Sequence, residues 1–249
     1  MKRVLMTCFF IIAASAVSSA QTFYFPQVAV GGYEAGYWQT TIFLSNAKPD
    51  TASGTVTFTK SDGSPFNSTW LDEAGNPISN GNVIAFQLGP NETRRLRSIA
   101  DIPLATGYGT VTSNSLAVLG NAVFTNWDLA GNLVAEAGVP MAIPLPKQGI
   151  FIDTTSGFKT GVAIGNPNTA ALHIHFEVVN DFGQIVATSL QDLPPGQHIS
   201  RFVHEMFPDL PPMVGRLQFY CTNPMVSVGL RFDSSFVNFT TMPPIAVQP

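Results

Sequence analysis

Two matching stretches of sequence decide the fold: residues 37–46 (YWQTTIFLSN) and residues 157–166 (GFKTGVAIGN). Each stretch has an aromatic residue, a threonine two positions later, an apolar alternation and a closing asparagine. Alternation with a period of two is typical of a β-strand that buries one face. The pair therefore indicates two strands with equivalent places in two copies of one unit.

The matches continue outward from these strands in the same order along the chain. The further matching blocks are 54–63 with 172–183, 87–96 with 192–202, 107–114 with 214–223, 119–124 with 228–232, and 139–144 with 242–247. Ordered self-similarity of this kind indicates a repeated structural unit. The first copy is longer because of an insertion around residues 68–77, which we expect to form an extra hairpin or loop. We place the domain boundary after residue 146, so that residues 21–146 form the first repeat and residues 147–249 form the second.

Each copy has the sequence pattern of a β-sandwich. About seven short strands per copy are separated by turn residues every 8–12 positions or so. The 21 glycines and 19 prolines provide these turns, and no stretch keeps a helical period over several turns. The sequence predicts an all-β protein made of two tandem immunoglobulin-like, antiparallel β-sandwich domains.

The composition excludes several classes of protein. Charged residues make up 11% of the chain, whereas roughly 25% is usual for a soluble domain. Hydrophobic residues make up 45%, which excludes intrinsic disorder. The 12 basic residues against 16 acidic ones lack the clustered positive charge that phosphate binding requires, so we expect no nucleic-acid partner. The polar surface must therefore come largely from serine, threonine, asparagine and glutamine.

The N-terminus has the features of an export signal. Two basic residues (2–3) precede an apolar run (4–14), and residues 18–20 (SSA) fit the small-x-small rule for cleavage after Ala20. A cut after Ala16 is the alternative. The apolar run is shorter than the roughly 20 residues of a spanning helix. We therefore expect a protein that is secreted, periplasmic or attached to the cell surface, with no membrane span after cleavage.

Cleavage at this position would change the charge balance and the cysteine count. It would leave 10 basic and 16 acidic residues, a net charge of −6, and one cysteine, Cys221. One cysteine cannot form an intramolecular disulfide. Alternation along residues 216–221 places Cys221 on an apolar face, so we expect a buried structural thiol.

Five short motifs carry a resemblance to a group of known proteins. They are residues 25–29 (FPQVA), 41–46 (TIFLSN), 161–167 (GVAIGNP), 193–196 (LPPG) and 229–232 (GLRF). On these motifs the chain resembles an uncharacterised group of secreted bacterial proteins built from tandem β-sandwich repeats. The resemblance covers most of the sequence after the leader. It implies the fold and the location, and it implies no catalytic residue.

The segment HIHFE is the sharpest chemical candidate. In a strand it would place His173, His175 and Glu177 on one face, and His198 in the next predicted strand could complete a zinc site. The first copy has residues 55–59 (TVTFT) at the equivalent place, which favours a polar stripe facing solvent. We therefore expect no cofactor and keep a metal-dependent enzyme as an alternative.

Four residues of the first copy are candidates for ligand binding. Trp70 and Asp72 lie in the insertion, where an exposed indole could stack on a sugar ring, although a buried tryptophan is the more common case. Arg95 and Arg97 share one face of a strand and would suit an acidic glycan or a phosphate, although a solvated strand that protects a sheet edge is the alternative. The other aromatic residues of this group are Tyr24, Tyr33, Tyr37, Trp38 and Trp127.

Motifs of the common enzyme classes are absent from the sequence. There is no Gly-x-Ser-x-Gly elbow, and no nucleotide-binding or cysteine-cluster motif. We therefore expect an exported, non-enzymatic structural or extracellular binding module, with an extracellular polysaccharide or another surface protein as its partner. Two alternatives stay open: carbohydrate binding through exposed aromatic residues of the first repeat, and metal-dependent catalysis by the His173/His175 strand.

Overall fold

The protein is built almost entirely of β-strands. The structure, a computed structural model, describes residues 20–235 and 237–247, so residues 1–19 of the predicted leader lie outside it. Strands account for 64% of the residues and helix for 3%, which confirms the predicted all-β class. Within the described ranges, no helix is long and apolar enough to cross a membrane.

The elements follow one another without long helical segments. The strands of the first half are β1 (Gln21–Tyr33), β2 (Gly36–Asn46), β3 (Ala52–Lys60), β4 (Trp70–Leu71), β5 (Pro77–Ser79), β6 (Val83–Leu88), β7 (Thr93–Ser98), β8 (Ala105–Ser113), β9 (Val118–Asp128) and β10 (Leu133–Pro140). The elements of the second half are β11 (Leu145–Asp153), a 3-10 turn (Thr155–Gly157), β12 (Lys159–Gly165), β13 (Leu172–Asn180), β14 (Ile185–Leu193), β15 (His198–Phe202), α1 (Val203–Met206), β16 (Val214–Phe232), β17 (Phe239–Met242) and β18 (Ile245–Ala246).

The first half forms two antiparallel layers that share β1. Residues 21–30 of β1 pair with β8, and residues 31–33 pair with β2. The layers have the strand orders β1-β8-β3-β6 and β5-β4-β7-β2-β9-β10. Alternate side chains point between them: in β6, for example, Ile84, Phe86 and Leu88 are buried and the residues between them are exposed. Apolar alternation thus builds a sandwich with one core.

The second half repeats this arrangement with a single long strand in the shared role. Residues 214–220 of β16 pair with β11 and β13, and residues 226–232 pair with β12 and β17. The two layers therefore have the orders β14-β13-β16-β11-β18 and β15-β12-β16-β17. Ile150, Ile174, Phe176 and Phe219 are among the side chains that form the core.

The strand orders of the two halves correspond. In one layer, the strands of the order β1-β8-β3-β6 match those of β11-β16-β13-β14 position by position. In the other layer, the strands of the order β7-β2-β9-β10 match those of β15-β12-β16-β17 in the same way. The two matching stretches, 37–46 and 157–166, lie in and around β2 and β12, which hold equivalent places. The sandwich fold is confirmed, whereas its immunoglobulin-like character and the division into two domains stay predictions. The boundary predicted after residue 146 falls within β11.

The two halves pack against each other through apolar surfaces. Residues 160–165 of β12 are buried, on both faces of the strand. Ala163, Val228 and Leu230 of the second half belong to the core cluster of the first half. At the edge of this contact the ring of Phe239 lies 5.7 Å from the ring of Trp38 and 5.2 Å from the ring of Phe124, measured between centroids. The halves are thus joined by side chains as well as by the chain itself.

The insertion of the first half forms a hairpin, which is one of the two forms expected from the sequence. β4 and β5 pair with each other, and β4 extends the layer by pairing with β7. The hairpin also reaches the neighbouring edge strand, since the Ser79 hydroxyl donates a hydrogen bond to the Val83 carbonyl at 2.8 Å. The second half has no equivalent of this hairpin among its described elements.

Candidate functional site

Trp70, the candidate for an exposed stacking ring, is buried, so the more common of the two interpretations holds. Its side chain is 1% exposed, and its indole stacks on Phe58 with ring centroids 4.3 Å apart and an angle of 10° between the planes. The cause is the pairing of the short strand β4 with β7, which turns Trp70 toward the interior of the sandwich. Trp70 therefore stabilises the core and cannot stack on a sugar ring at the surface.

The other candidates of the first repeat lie at the surface but form no common site with Trp70. The Asp72 carboxylate accepts hydrogen bonds from the backbone N–H and side-chain amide of Asn76, at 2.8 and 3.2 Å, and these bonds lower the pKa of Asp72. Arg95 and Arg97 are exposed on one face of β7, as the alternation predicts. The backbone N–H of Arg95 donates to a carboxylate oxygen of Glu73 at 2.6 Å. Asp72 therefore acts as a turn residue, and the two arginines face solvent.

The alternation predicted for the HIHFE segment is present in β13. His173 and His175 are exposed and Glu177 is half-buried, while the residues between them are buried. Each of the three has its own partner on a neighbouring strand. His173 Nδ1 is hydrogen-bonded to Asp192 at 2.6 Å, and the ring of His175 stacks on Tyr220 with a centroid distance of 5.2 Å.

Glu177 belongs to a hydrogen-bonded group of its own. Its carboxylate accepts a hydrogen bond from the Tyr220 hydroxyl at 3.0 Å and another from the side-chain amide of Gln218. The bond to Glu177 raises the pKa of Tyr220. The carboxylate is therefore held by neutral donors from β16 and is not directed at the histidines.

His198 lies apart from the other three, so the four residues do not form the metal site that the sequence leaves open as an alternative. It begins β15, which pairs with β12 in the opposite layer, because β14 occupies the place next to β13. The imidazole is 2% exposed and sits where the two halves meet: Nδ1 is 3.0 Å from the Ser61 hydroxyl oxygen, and the ring stacks on Tyr108. In the parts of the chain that the structure describes, no group of three or more His, Cys, Asp and Glu side chains is arranged to hold a metal ion.

The environment of His198 favours the neutral imidazole. Burial lowers the pKa of His198 from 6.5 to about 4, and an interaction with the Pro26 backbone opposes this only in part. Nε2 has no hydrogen-bond partner among the described protein groups. His198 is thus a neutral contact between the halves at physiological pH.

Cys221 is half-buried rather than fully buried. Its thiol donates a hydrogen bond to the Asn223 carbonyl at 2.9 Å, and burial raises the pKa of the thiol. A raised pKa keeps the sulfur protonated and unreactive. This agrees with the structural role expected from the sequence.

Two features of the surface were not recognised from the sequence. Tyr37 and Trp127 face each other across β2 and β9, with nearly parallel rings whose centroids are 6.4 Å apart. The second feature is β14, an edge strand whose side chains are nearly all exposed or half-buried. Its exposed apolar residues are Ile185, Val186 and Leu190. They are visible in the sequence, but the sequence does not show that no described strand pairs with the outer side of β14.

Comparison with known proteins gives little information. No protein-family model matches the chain, and no curated protein matches it. Among solved structures, the chain is similar to Thermotoga maritima 1070, with 11% sequence identity and a TM-score of 0.33 over 42% of this chain and 94% of that chain. It is also similar to a beta-glucuronidase of glycoside hydrolase family 2, with 8% identity and a TM-score of 0.19 over 88% of this chain and 25% of that chain. Both TM-scores are too low to carry an argument.

Proposed function

We propose that the chain is an exported, non-enzymatic binding module that takes up an extended segment of another surface protein along the edge of β14. The observation that carries the proposal is the exposed apolar edge of this strand. The predicted export signal supports it, because a sandwich placed outside the cell can present such an edge to a partner. The corresponding strand orders of the two halves support the internal duplication that we propose as the origin of the module.

β14 offers an unprotected strand edge. It lies at the end of its layer, and no described strand pairs with its outer side. Such an edge presents unpaired backbone N–H and C=O groups, and proteins commonly protect it with lysine, proline or a covering segment. β14 contains no lysine or proline, and its one charged residue, Asp192, is engaged by His173. A bulge at Val186 interrupts the start of the strand and leaves residues 187–193 regular.

The side chains at this edge are suited to an apolar, extended partner. Phe182 in the preceding turn is 82% exposed and Leu190 is 71% exposed, and both Ile185 and Val186 are also exposed. Leu190 continues a row formed by His175 and Tyr220 on the neighbouring strands. An added strand would extend the backbone ladder and place its own apolar side chains beside Leu190, which is the usual mode of strand addition.

Lysine at position 190 is expected to weaken this binding. In a selection of displayed peptides against the purified protein, we expect peptides with alternating apolar residues, and we expect Leu190→Lys to weaken their binding by about tenfold or more. The reason is that the added ammonium group would be taken out of water against an apolar side chain. Titration of the selected peptides, followed by amide chemical shifts of β14, measures the effect.

The matched control is Leu116→Lys, which adds the same charge at an exposed leucine in the loop before β9. It should bind the selected peptides as well as the original protein does. Equal binding by both variants would contradict the proposal. So would a dimer of the protein alone that Leu190→Lys disperses, since the edge would then be occupied by a second copy.

A second candidate function is carbohydrate binding at the Tyr37–Trp127 pair. The two rings lie on the outward face of their layer. In the next row of that face, the half-buried Gln39 and the exposed Glu136 flank Thr125, which is buried. Aromatic rings beside amide and carboxylate groups suit a sugar ring, which has an apolar face and polar edges. This observation moves the predicted site from Trp70 to a different part of the first half.

Removal of either ring is expected to weaken glycan binding. On a glycan array, Tyr37→Ala and Trp127→Ala should each reduce the signal of any bound glycan by about tenfold, as expected when a stacked ring is lost. Glu136→Gln keeps the aromatic pair and tests the polar row separately. An array without hits for the original protein, or hits that both alanine variants retain, would contradict this second function.

A further inference from the structure

The outward side chains of β2 form an accessible line with an aromatic residue at each end. Tyr37, Gln39, Thr41 and Phe43 share this face, none of them is buried, and Phe43 is 39% exposed. The pairing of β2 with β9 is regular over this stretch, so these side chains follow one another at intervals of roughly 7 Å. Tyr37 and Phe43 therefore lie roughly 20 Å apart, which is a span for several linked sugar units rather than for a single one.

Two arginines flank the Phe43 end of this line. Arg95 of β7 is the register partner of Phe43, and Arg97 is the register partner of Thr41. Directly opposed side chains of one face have Cβ atoms roughly 5 Å apart. Both arginines are exposed, and the exposed Asn121 of β9 lies opposite Phe43 on its other side. The aromatic ring of Phe43 thus lies in one row with a guanidinium group and an amide.

Arg95 and Arg97 are not engaged by carboxylates of the described chain. Neither forms a salt bridge there, whereas Arg94, on the opposite face of β7, is paired with Glu92 at 2.7 Å. The Arg95 guanidinium donates a long hydrogen bond of 3.5 Å to the Glu73 carbonyl. Protection of a sheet edge does not account for the two arginines, since β4 covers β7 at Arg97 and the Glu73 carboxylate accepts the backbone N–H of Arg95. Their charges are therefore available to a ligand.

The charges beside the line have opposite signs at its two ends. Glu136 lies in the row of Gln39, two strands away from β2 and so roughly 10 Å from it. The arginines lie at the Phe43 end, where their guanidinium groups can bind a carboxylate through two parallel hydrogen bonds. The whole chain has a net charge of −4, so an anion is attracted by this local arrangement and not by the protein as a whole.

We propose that the Phe43 end of this face binds a uronic acid unit of an acidic oligosaccharide, whose further units extend along β2 toward the Tyr37–Trp127 pair. The inference rests on the second candidate function, carbohydrate binding, and adds to it the charge and the direction of the glycan. The apolar face of the sugar ring stacks on Phe43, and the Asn121 amide binds the ring hydroxyls. The two arginines bind the carboxylate, because their planar groups match its geometry.

Calorimetric titration of the purified protein with pentagalacturonate and with its methyl ester tests the inference, because the ester keeps the sugar rings and removes the negative charges. For the acid at low salt we expect a Kd on the order of 0.1–1 mM, in line with a weak site that is open to solvent. The ester should bind about tenfold more weakly. A high salt concentration should remove most of this difference, since salt screens exposed charges.

Variants of the arginines separate the charge from the stacking. Arg95→Gln and Arg97→Gln should each weaken binding of the acid about fivefold, as expected for the loss of an exposed ion pair, and should leave binding of the ester unchanged. Arg201→Gln is the matched control, since it removes the same charge from an exposed position on β15, and it should bind the acid as the original protein does. Phe43→Thr should weaken both ligands, because both stack on the ring.

Equal affinities for the acid and the ester, or arginine variants that bind the acid like the original protein, would overturn the inference. If Trp127→Ala still weakened both ligands in that case, the second candidate function would stand without it. Inorganic phosphate that displaces the acid at equal concentration would overturn the ligand class. In the original protein, nuclear Overhauser effects are expected between sugar protons and the ring of Phe43, and saturable binding without them would overturn the inference as well.

Discussion

Replacement of Trp70 by alanine is expected to lower the free energy of unfolding by about 4 kcal/mol, the usual cost of removing a large buried aromatic side chain. Trp70 is among the largest fully buried side chains of the protein, and its loss would leave a cavity against the face of Phe58. Trp70 lies in the two-residue strand β4, which is hydrogen-bonded to β5 on one side and to β7 on the other. Because these pairings hold β4 in place, the strand cannot move easily into the cavity that the substitution leaves. Unfolding in guanidinium chloride, followed by circular dichroism, measures the change.

Trp127→Ala is the control for this substitution. Trp127 is half-buried on an outward face, so its removal should cost about 1–2 kcal/mol, in line with the smaller area that it buries. If Trp70→Ala costs no more than Trp127→Ala, the placement of Trp70 in the core is wrong. A Trp70→Ala variant with full stability and altered glycan binding would favour the exposed alternative for Trp70.

Acid is expected to destabilise the protein by about 3 kcal/mol through His198 alone. The pKa of His198 is about 4 in the folded protein because of burial, against 6.5 for an ordinary histidine. Below pH 6.5 the unfolded chain takes up a proton that the folded protein does not accept. The stability supplied by the neutral ring is therefore complete above pH 6.5 and is lost as the pH falls from 6.5 toward 4.

His198→Gln isolates this effect from other titrations. Carboxylates whose pKa values are lowered by hydrogen bonds, such as Asp62 and Asp153, lose their contribution at lower pH, and they do so in both proteins. The difference in unfolding free energy between the original protein and the variant should therefore shrink by about 3 kcal/mol between pH 7 and pH 4. Two curves that run parallel over this range would show that His198 is not buried as a neutral ring.

The sequence predicts the strands well because alternation is a local property. The two asparagines that close the matching stretches show that self-comparison also detects single residues with an equivalent structural role. Asn46 donates hydrogen bonds to the carbonyls of Asp50 and Gly89, and Asn166 donates to those of Ala170, Leu193 and Pro194. Both side chains thus fasten the loop after their own strand to an equivalent turn, which joins β6 to β7 in the first half and β14 to β15 in the second half. Because the two asparagines have the same structural role, the same residue type occurs at both positions, and comparison of the two halves of the sequence detects it.

The candidate sites depend on pairings that local patterns do not encode. Alternation correctly places His173 and His175 on one face, but it cannot show that the strand of His198 pairs with β12 in the opposite layer. It also cannot show which side of a two-residue strand faces the core, and this is why the sequence leaves both an exposed and a buried Trp70 open.

The place of β1 has a consequence for how the protein reaches its folded state. Gln21 pairs with Ser113, so the first strand after the predicted leader must wait for a partner that is synthesised much later. Contacts between residues so distant in the chain give a high contact order, and folding rates fall steeply as contact order rises. A chain whose first strand cannot be completed early stays extended for longer, and an extended chain is the form that can be threaded through a narrow export channel.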